Sequence, residues 1–404
     1  MVTNSILFVQ HGQHGQHGQH GQHGQHGQHG QLMAGGRTPP AAAAALTMSH
    51  ASLTGHWSWD PSYPLPTELS FASADNMQQW SMDTRMLVTV QEIISTLCVT
   101  PHHASETPDA QGQTVPTPAT VRVLSRLGSG EIVVAQIDRP GMEAFAQQLN
   151  YIEYYADQRV ERAAEILLQL TDILSSFGAV VPLEPERNRW THELLLVALQ
   201  AASLIEMQCK HLLACQRPNV FSAQVHPMIQ TPGHGTLPSG HATEAFLVAT
   251  ILRDLVMHAA VRPYLVEQQL LRQATRIAQN RTVAGVHFPV DSAAGATLGI
   301  SLARYILALA HRPEGTSADH LNVEATGWHC RSDAFGAADF THETSRGLFD
   351  HAPLVAYEGD GTEVEYGTPT TYKLTMSNTG SVLRELYARA RAEWATAKTG
   401  GTGS

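Results

Sequence analysis

The chain has few charged residues and an excess of acidic ones. Charged residues make up 15% of its 404 residues, and 25 Lys and Arg face 36 Asp and Glu, for a formal net charge of −11. Only three of the basic residues are lysines. A surface that coats nucleic acid needs a basic excess, so we expect no nucleic-acid partner. Anion binding would have to depend on a few cations gathered at one place.

Cysteines and long apolar runs are also scarce. Four cysteines, none in a Cys-x-x-Cys pair, exclude a disulfide framework. The most apolar stretches are interrupted by charges; Asp291 and Arg304, for example, leave 12 residues between them, where a spanning helix needs about 20. No secretory signal pattern is visible. We therefore expect a soluble protein without a membrane span, with the cytoplasm favoured as its location.

Residues 11–31 are seven copies of His-Gly-Gln. This tract has no apolar face and is one-third glycine, so it cannot form a packed core. A His-rich tract can bind Zn, Ni or Cu; the alternative, which we favour, is an unstructured repeat without a role. We treat 1–32 as a disordered tract and 33–140 as an N-terminal arm and loop-rich region.

Helical periodicity dominates from Gly141 to about residue 311. The apolar spacing predicts helices over Met142–Phe177, Thr191–Leu213, a stretch after Gly240, 264–279, and Pro289–His311. Five helices with short connections predict an antiparallel bundle over 141–311. Residues 312–404 are polar and predict loops with one terminal helix. The predicted fold class is therefore all-α, a helical bundle with loop-rich N- and C-terminal extensions.

Two basic residues lie on one face near the end of the second helix. Lys210 and Arg217 are seven residues apart, a rotation of about 700°, close to two full turns. Pro218 disfavours a continued helix, so Arg217 stands at the helix exit. Taken alone, Lys210 could be a surface lysine paired with Glu206.

A second segment, Pro238-Ser239-Gly240-His241, leads directly into a helix. Free N–H groups at a helix start form a seat for an anion. Ser239 and Gly240 can both donate to an oxyanion, although Ser239 might only cap the helix. His241 is placed to transfer protons beside that anion.

The third segment runs from Arg281 to Asp291. Pro289 marks a first helical turn, which puts His287 at a helix mouth with Asp291 on the same face. A carboxylate that takes one ring N–H makes the other ring nitrogen a better ligand or nucleophile. Together the three segments supply three cations, two neutral donors and two histidines, which suits a tetrahedral oxyanion with one apical nitrogen ligand.

The pattern Lys-x6-Arg-Pro, Pro-Ser-Gly-His and Arg-x5-His-x3-Asp resembles the signature shared by type 2 phosphatidic acid phosphatases, class A acid phosphatases and vanadium-dependent haloperoxidases. It covers residues 210–291. One departure is Asn280, where phosphatases usually have Ser. His234 occupies the position that is His in bromoperoxidases, and Met207 stands where the fungal chloroperoxidase has Trp. The resemblance therefore implies a bromo- or iodoperoxidase.

In that interpretation vanadate is the cofactor, held by Lys210, Arg217, Ser239, Gly240, His241, Arg281 and His287, with His287 as the apical vanadium ligand. His241, Lys210, Asp291 and His234 would assist catalysis. Hydrogen peroxide, a halide and a small organic acceptor would be the partners, and relatives suggest a possible homodimer. The alternative is a soluble acid phosphatase, in which phosphate occupies the same pocket, His287 attacks phosphorus and His241 protonates the leaving oxygen.

Overall fold

The computed structural model describes residues 48, 61–102, 119–257, 263–311, 320–350, 352–358, 360–377 and 381–395. The His-Gly-Gln tract lies outside these residues. The N-terminal part has a 3₁₀ turn (Ala74–Gln79), helix α1 (Met82–Ile94) and strands β1 (Leu97–His102), β2 (Thr120–Ser125) and β3 (Ile132–Asp138). β2 and β3 lie on either side of Gly128 and Gly130.

The stretch predicted as one long helix is divided into four short ones: α2 (Met142–Gln147), α3 (Leu149–Ala156), α4 (Arg159–Leu168) and α5 (Leu174–Gly178). The first break falls at Gln148, whose buried side chain donates to the carbonyl of Gly336 (2.7 Å) and accepts from the N–H of Val290 (3.0 Å). Gln169, at the end of α4, is equally buried. Both glutamines form hydrogen bonds with distant segments of the chain. The helix breaks at these two residues although the apolar residues continue at helical spacing.

The helical centre of the molecule follows the prediction closely. It consists of α6 (Arg189–Leu213), the short α7 (Pro218–Phe221), α8 (Gly240–Val256), α9 (Pro263–Val283) and α10 (Pro289–Ala310). α8 and α10 are packed closely enough that a Cβ on Gly299 would lie 2.2 Å from the carbonyl oxygen of Thr243. Glycine is therefore required at this contact, and the two helices that start at the motif segments are held rigidly together.

The C-terminal part adds β4 (His320–Cys330), α11 (His342–Ser345), β5 (Leu354–Tyr357), β6 (Glu363–Ser377) and α12 (Val382–Ala395). The strands of both terminal parts form one six-stranded sheet in the order β1-β2-β3-β4-β6-β5. β3 and β4 are parallel, and all the other pairs are antiparallel. The sheet packs against α10, and the main-chain N–H of Trp328 donates to the Ser301 hydroxyl at 3.0 Å.

The all-α prediction is therefore wrong, and so is the expectation of loop-rich extensions, because a mixed sheet stands beside the helices. In β6 the side chains of Tyr372, Leu374 and Met376 are buried and alternate with exposed ones. This is the period-two signal of a strand, but the polar residues between them give the segment a loop-like composition. Because the sheet covers α10, that helix is apolar on all sides.

One helix among the described residues, α10, is long and apolar enough to cross a membrane by length and composition. The same test is passed by helices at the centre of a folded protein, and 94% of the apolar window of α10 is buried inside this one. The expected absence of a membrane span stays a prediction.

Candidate active site

Lys210 lies on the last turn of α6 and is fully enclosed by protein. Its ammonium donates to the main-chain carbonyl of Pro238 and, more weakly, to those of Thr236 (3.3 Å) and Gly235 (3.4 Å). The loop that precedes α8 thus wraps around the amine. Burial lowers the pKa of Lys210 to about 8, while the Glu206 carboxylate opposes this shift. Lys210 is not a surface lysine, although it does contact Glu206 at 3.6 Å.

Arg217 is the N-cap residue directly before α7, and its side chain contacts the third motif segment. Its Nη1 donates to the carbonyl of Val286 (2.8 Å) and lies 3.4 Å from Nε2 of His287. Its Nε donates to the carbonyl of His234 (3.0 Å), and Nη2 lies 3.3 Å from Nδ1 of the same residue. Burial lowers the pKa of Arg217 to about 10, so the guanidinium remains cationic at neutral pH.

His287 is oriented by two groups on its Nδ1 side. Nδ1 lies 3.1 Å from Oδ2 of Asp291 and 3.1 Å from the hydroxyl of Thr236, which itself donates to Asp291. Because a carboxylate accepts, Nδ1 carries the ring hydrogen and Nε2 keeps its lone pair. Oδ2 also accepts from the N–H of Phe288 at 2.8 Å, which closes the first turn of α10.

Burial and charge keep this histidine neutral. Burial, followed by the cations of Arg217 and Lys210, holds the pKa of His287 well below its usual value. Burial also raises the pKa of Asp291 to about 6, opposed by the hydrogen bonds from Thr236 and Phe288. Near neutral pH, His287 thus presents an unprotonated Nε2 and Asp291 is ionised.

Ser239 and Gly240 form the buried start of α8. The Ser239 hydroxyl accepts from the N–H of Ala242 at 3.5 Å, so it caps the helix, and its donation to an anion stays a prediction. A Cβ on Gly240 would lie 2.7 Å from Oε1 of Glu206. Glycine therefore lets the carboxyl group of α6 approach the first turn of α8.

His241 and Arg281 both contact Gln169, a residue outside the three motif segments. Nε2 of His241 lies 3.0 Å from the main-chain carbonyl of Gln169 and 3.4 Å from Nη1 of Arg281. Nη2 of Arg281 donates to the carboxamide oxygen of Gln169 at 2.8 Å. Complete burial lowers the pKa of Arg281 to about 9, so it too remains cationic at neutral pH.

The site thus has two halves. We call Lys210, Arg217, Thr236, His287 and Asp291 the His287 half, and Gln169, His241, Asn280 and Arg281 the His241 half. The halves are neighbours, because the charge of His241 contributes to the low pKa of His287. Both halves also contribute charge near Glu244 of α8, whose carboxyl group is fully buried. Burial and the charge of Glu206 raise the pKa of Glu244 well above its usual value, and the cations of Lys210 and Arg281 oppose this shift.

A cavity of about 440 Å³ lies beside the His287 half. It is lined by Met207, Lys210, His211, Ala214, Cys215, Gly233, His234 and Gly235. Both residues that the sequence singled out for halide selectivity, Met207 and His234, therefore line the cavity that reaches Lys210. His234 is half-buried and takes part in the hydrogen bonds around Arg217.

The structure brings six of the predicted site residues into these two halves: Lys210, Arg217, His241, Arg281, His287 and Asp291. Ser239 and Gly240 lie at the start of α8, and His234 lies beside Arg217. Sequence reasoning missed Thr236, Gln169 and the carboxyl group of Glu244. Thr236 carried a signal, because it lies between His234 and Pro238 in a loop full of Pro and Gly. Gln169 carried none, because it stands among apolar residues at helical spacing.

Comparisons with known proteins support the resemblance. Residues 193–313 match the PAP2 superfamily. A transmembrane PAP2-type phosphatidylglycerolphosphate phosphatase from Bacillus subtilis is 18% identical over 40% of this chain and 92% of its own, with a TM-score of 0.25. No curated protein matches the chain. The match over residues 193–313 is consistent with the predicted resemblance and with an enzyme of phosphatase type.

Proposed function

We propose that this protein is a phosphomonoesterase that uses His287 as its nucleophile. The observation that carries the proposal is the state of this ring: Asp291 accepts from Nδ1, and Nε2 is left unprotonated 3.4 Å from a guanidinium nitrogen of Arg217. A neutral nitrogen beside cations attacks an electrophile that those cations hold. The PAP2 superfamily match supports phosphorus as that electrophile.

The reaction would proceed in two displacements. Lys210, Arg217 and Arg281 bind the nonbridging oxygens and offset the negative charge that builds up on them. The lone pair of Nε2 on His287 forms a bond to phosphorus as the ester P–O bond breaks, and His241 gives a proton to the leaving oxygen. Water then attacks phosphorus, His241 takes its proton, and the N–P bond breaks to release inorganic phosphate.

Asp291 would act on the charge that His287 gains. Once Nε2 bonds to phosphorus, the ring becomes cationic, and the carboxylate on Nδ1 stabilises that charge. The ammonium of Lys210 is fixed by main-chain carbonyls of the loop before α8. The two longer of its bonds, to Thr236 (3.3 Å) and Gly235 (3.4 Å), are the ones that it would exchange for an anion oxygen.

Vanadium-dependent haloperoxidase activity is the second candidate. Vanadate has the shape of phosphate, and the unprotonated Nε2 of His287 with three nearby cations fits either anion. Lys210, Arg217, Ser239, Gly240, Arg281 and His287 would hold it. Bound vanadate would supply a centre at which peroxide oxidises a halide. The position of His234 beside Arg217 favours this candidate.

One paired assay separates the two activities. Release of phosphate from phenyl phosphate is measured without vanadate, and bromination of a cyclic diketone is measured with vanadate, peroxide and bromide. We expect phosphate release that vanadate inhibits and that disappears in Lys210→Ala and His287→Ala. Lys373→Ala, which changes an exposed lysine of β6, is the matched control. Bromination without phosphate release would overturn the proposal.

A further inference from the structure

The His241 half depends on a residue that no motif contains. Gln169 ends α4, and only 1% of its surface is exposed. Its two oxygens contact two different functional side chains: the carboxamide oxygen accepts from Arg281 at 2.8 Å, and the main-chain oxygen lies 3.0 Å from Nε2 of His241. One residue thus sets the direction of both groups.

The contact with the main-chain oxygen requires a hydrogen on Nε2 of His241. A carbonyl oxygen only accepts, so Nε2 must carry the hydrogen for this 3.0 Å bond to form. The contact with Arg281 is longer, at 3.4 Å, and is the weaker of the two. Nε2 of His241 therefore carries a hydrogen, and its bond to the main-chain oxygen holds the ring in one orientation beside Arg281.

Asn280 holds the carboxamide of Gln169 in place. Its Nδ2 donates to the carboxamide oxygen of Gln169 (3.1 Å) and to Glu165 (3.2 Å), while its Oδ1 accepts from Arg162 (3.0 Å). An asparagine has two amide hydrogens and a carbonyl oxygen, and these three bonds engage both hydrogens and the oxygen. A serine, with one hydroxyl, could not make them. The departure from the related phosphatases at position 280 thus coincides with the anchor of Gln169.

We propose that Gln169 is a positioning residue of the anion pocket, fixed by Asn280, that aims Arg281 and His241 at the phosphoryl group. This inference rests on the phosphatase function proposed above. Gln169 does not react. It fixes one nitrogen of the Arg281 guanidinium and holds the His241 ring in one orientation. These side chains are therefore ordered before substrate binds.

Two substitutions at Gln169 test this role: one removes the hydrogen-bond acceptor, and the other adds a negative charge. Gln169→Leu removes the acceptor at similar size, and Gln169→Glu places a carboxylate on Arg281 that competes with the bound anion. We expect the Kd of inorganic phosphate, measured by calorimetry, to rise about tenfold in Gln169→Leu and about a hundredfold in Gln169→Glu, the scale of one charge-assisted hydrogen bond and more. KM for phenyl phosphate should rise in the same order.

Asn280→Ser is the milder third variant, because it leaves Arg281 and the pocket charge unchanged. It should weaken phosphate binding about threefold, within the range of a neutral hydrogen bond. Thr171→Ala, on an exposed side chain of the same turn, is the control and should bind like the wild type. The Kd of phosphate should therefore decrease in the order Gln169→Glu, Gln169→Leu, Asn280→Ser, wild type. A role in packing alone would give the Leu and Glu variants the same Kd.

The failures of the two proposals are distinguishable. Wild-type protein that binds neither phosphate nor vanadate would contradict the phosphatase function itself. Wild-type protein that binds phosphate, with Gln169→Leu and Gln169→Glu of unchanged Kd, would overturn the role of Gln169 and leave the phosphatase function standing.

Discussion

The two halves of the pocket are built in different ways. Every member of the His287 half lies between positions 210 and 291, and its cations are held by main-chain carbonyls of the same segments. In the His241 half, His241 and Arg281 are also motif residues, but the groups that orient them come from the end of α4. The first half is complete within the signature, and the second is completed by a part of the chain that the signature does not include.

This difference separates the residues that carry out the reaction from the residues that orient them. Lys210, Arg217, His287 and Asp291 form a self-sufficient nucleophile, which any chain with the three segments can assemble. The direction of Arg281 and the hydrogen on His241 depend on contacts with Gln169, which lies outside the three segments. We therefore expect the loss of the His287 half to abolish turnover, and changes around the His241 half to alter affinity and proton transfer.

The largest effect should come from removal of the nucleophile. His287→Ala leaves no nitrogen to attack phosphorus, so kcat for phenyl phosphate should fall by about a thousandfold or more. The melting curve should show that the variant is folded. Turnover within tenfold of the wild type would show that the nucleophile lies elsewhere.

Asp291→Asn tests how the His287 half is oriented. The amide can donate to Nδ1 and favour the wrong tautomer, and it cannot stabilise the charge on the ring; kcat should fall about 10- to 100-fold. Thr236→Val removes one bond to the carboxylate and one contact with Nδ1 but keeps the carboxylate itself, so it should have a smaller effect. Steady-state kinetics on both variants measures the order, and equal losses would contradict the central place of Asp291.

The pH dependence of kcat/KM should reflect the His287 half. The pKa of Asp291 is raised to about 6, so activity should fall as the pH drops through that value and the carboxylate is protonated. The pKa of Lys210 is lowered to about 8, so activity should fall again as the pH rises through that value and the ammonium loses its charge. A bell-shaped profile is expected. A profile that stays flat across this range would contradict it.

The smallest effect should come from Glu206→Gln. The Glu206 carboxylate opposes the lowering of the Lys210 pKa, so its loss should move the alkaline limb of the profile to lower pH and leave the acid limb in place. The same titration in Lys373→Ala provides the control. An alkaline limb that moves upward would mean that Glu206 does not support the charge of Lys210.

The helices around the site are predictable from sequence because their signals are local. Gly240 and Pro289 mark the starts of α8 and α10, and apolar residues at helical spacing continue from each. The face shared by His287 and Asp291 follows from their spacing at the start of α10. The helical face predicted for Lys210 and Arg217 is wrong, because α6 ends at Leu213, before Arg217.

The sheet and Gln169 are not predictable in this way, because their partners are distant in the chain. β3 pairs with β4 across almost two hundred positions, as in the register of Ala135 with Trp328. Gln169 meets Arg281 only because α4 packs against α9. Neither contact leaves a mark in the neighbouring residues, so composition alone indicated loops at one place and an uninterrupted helix at the other.

A crystal structure of the protein soaked with vanadate tests the central claim most directly, because it shows whether both halves enclose one anion. The account predicts a single vanadium bonded to Nε2 of His287, with Lys210, Arg217 and Arg281 all donating to its oxygens. A vanadate that sits at His287 without touching Arg281, or that binds elsewhere on the protein, would contradict it.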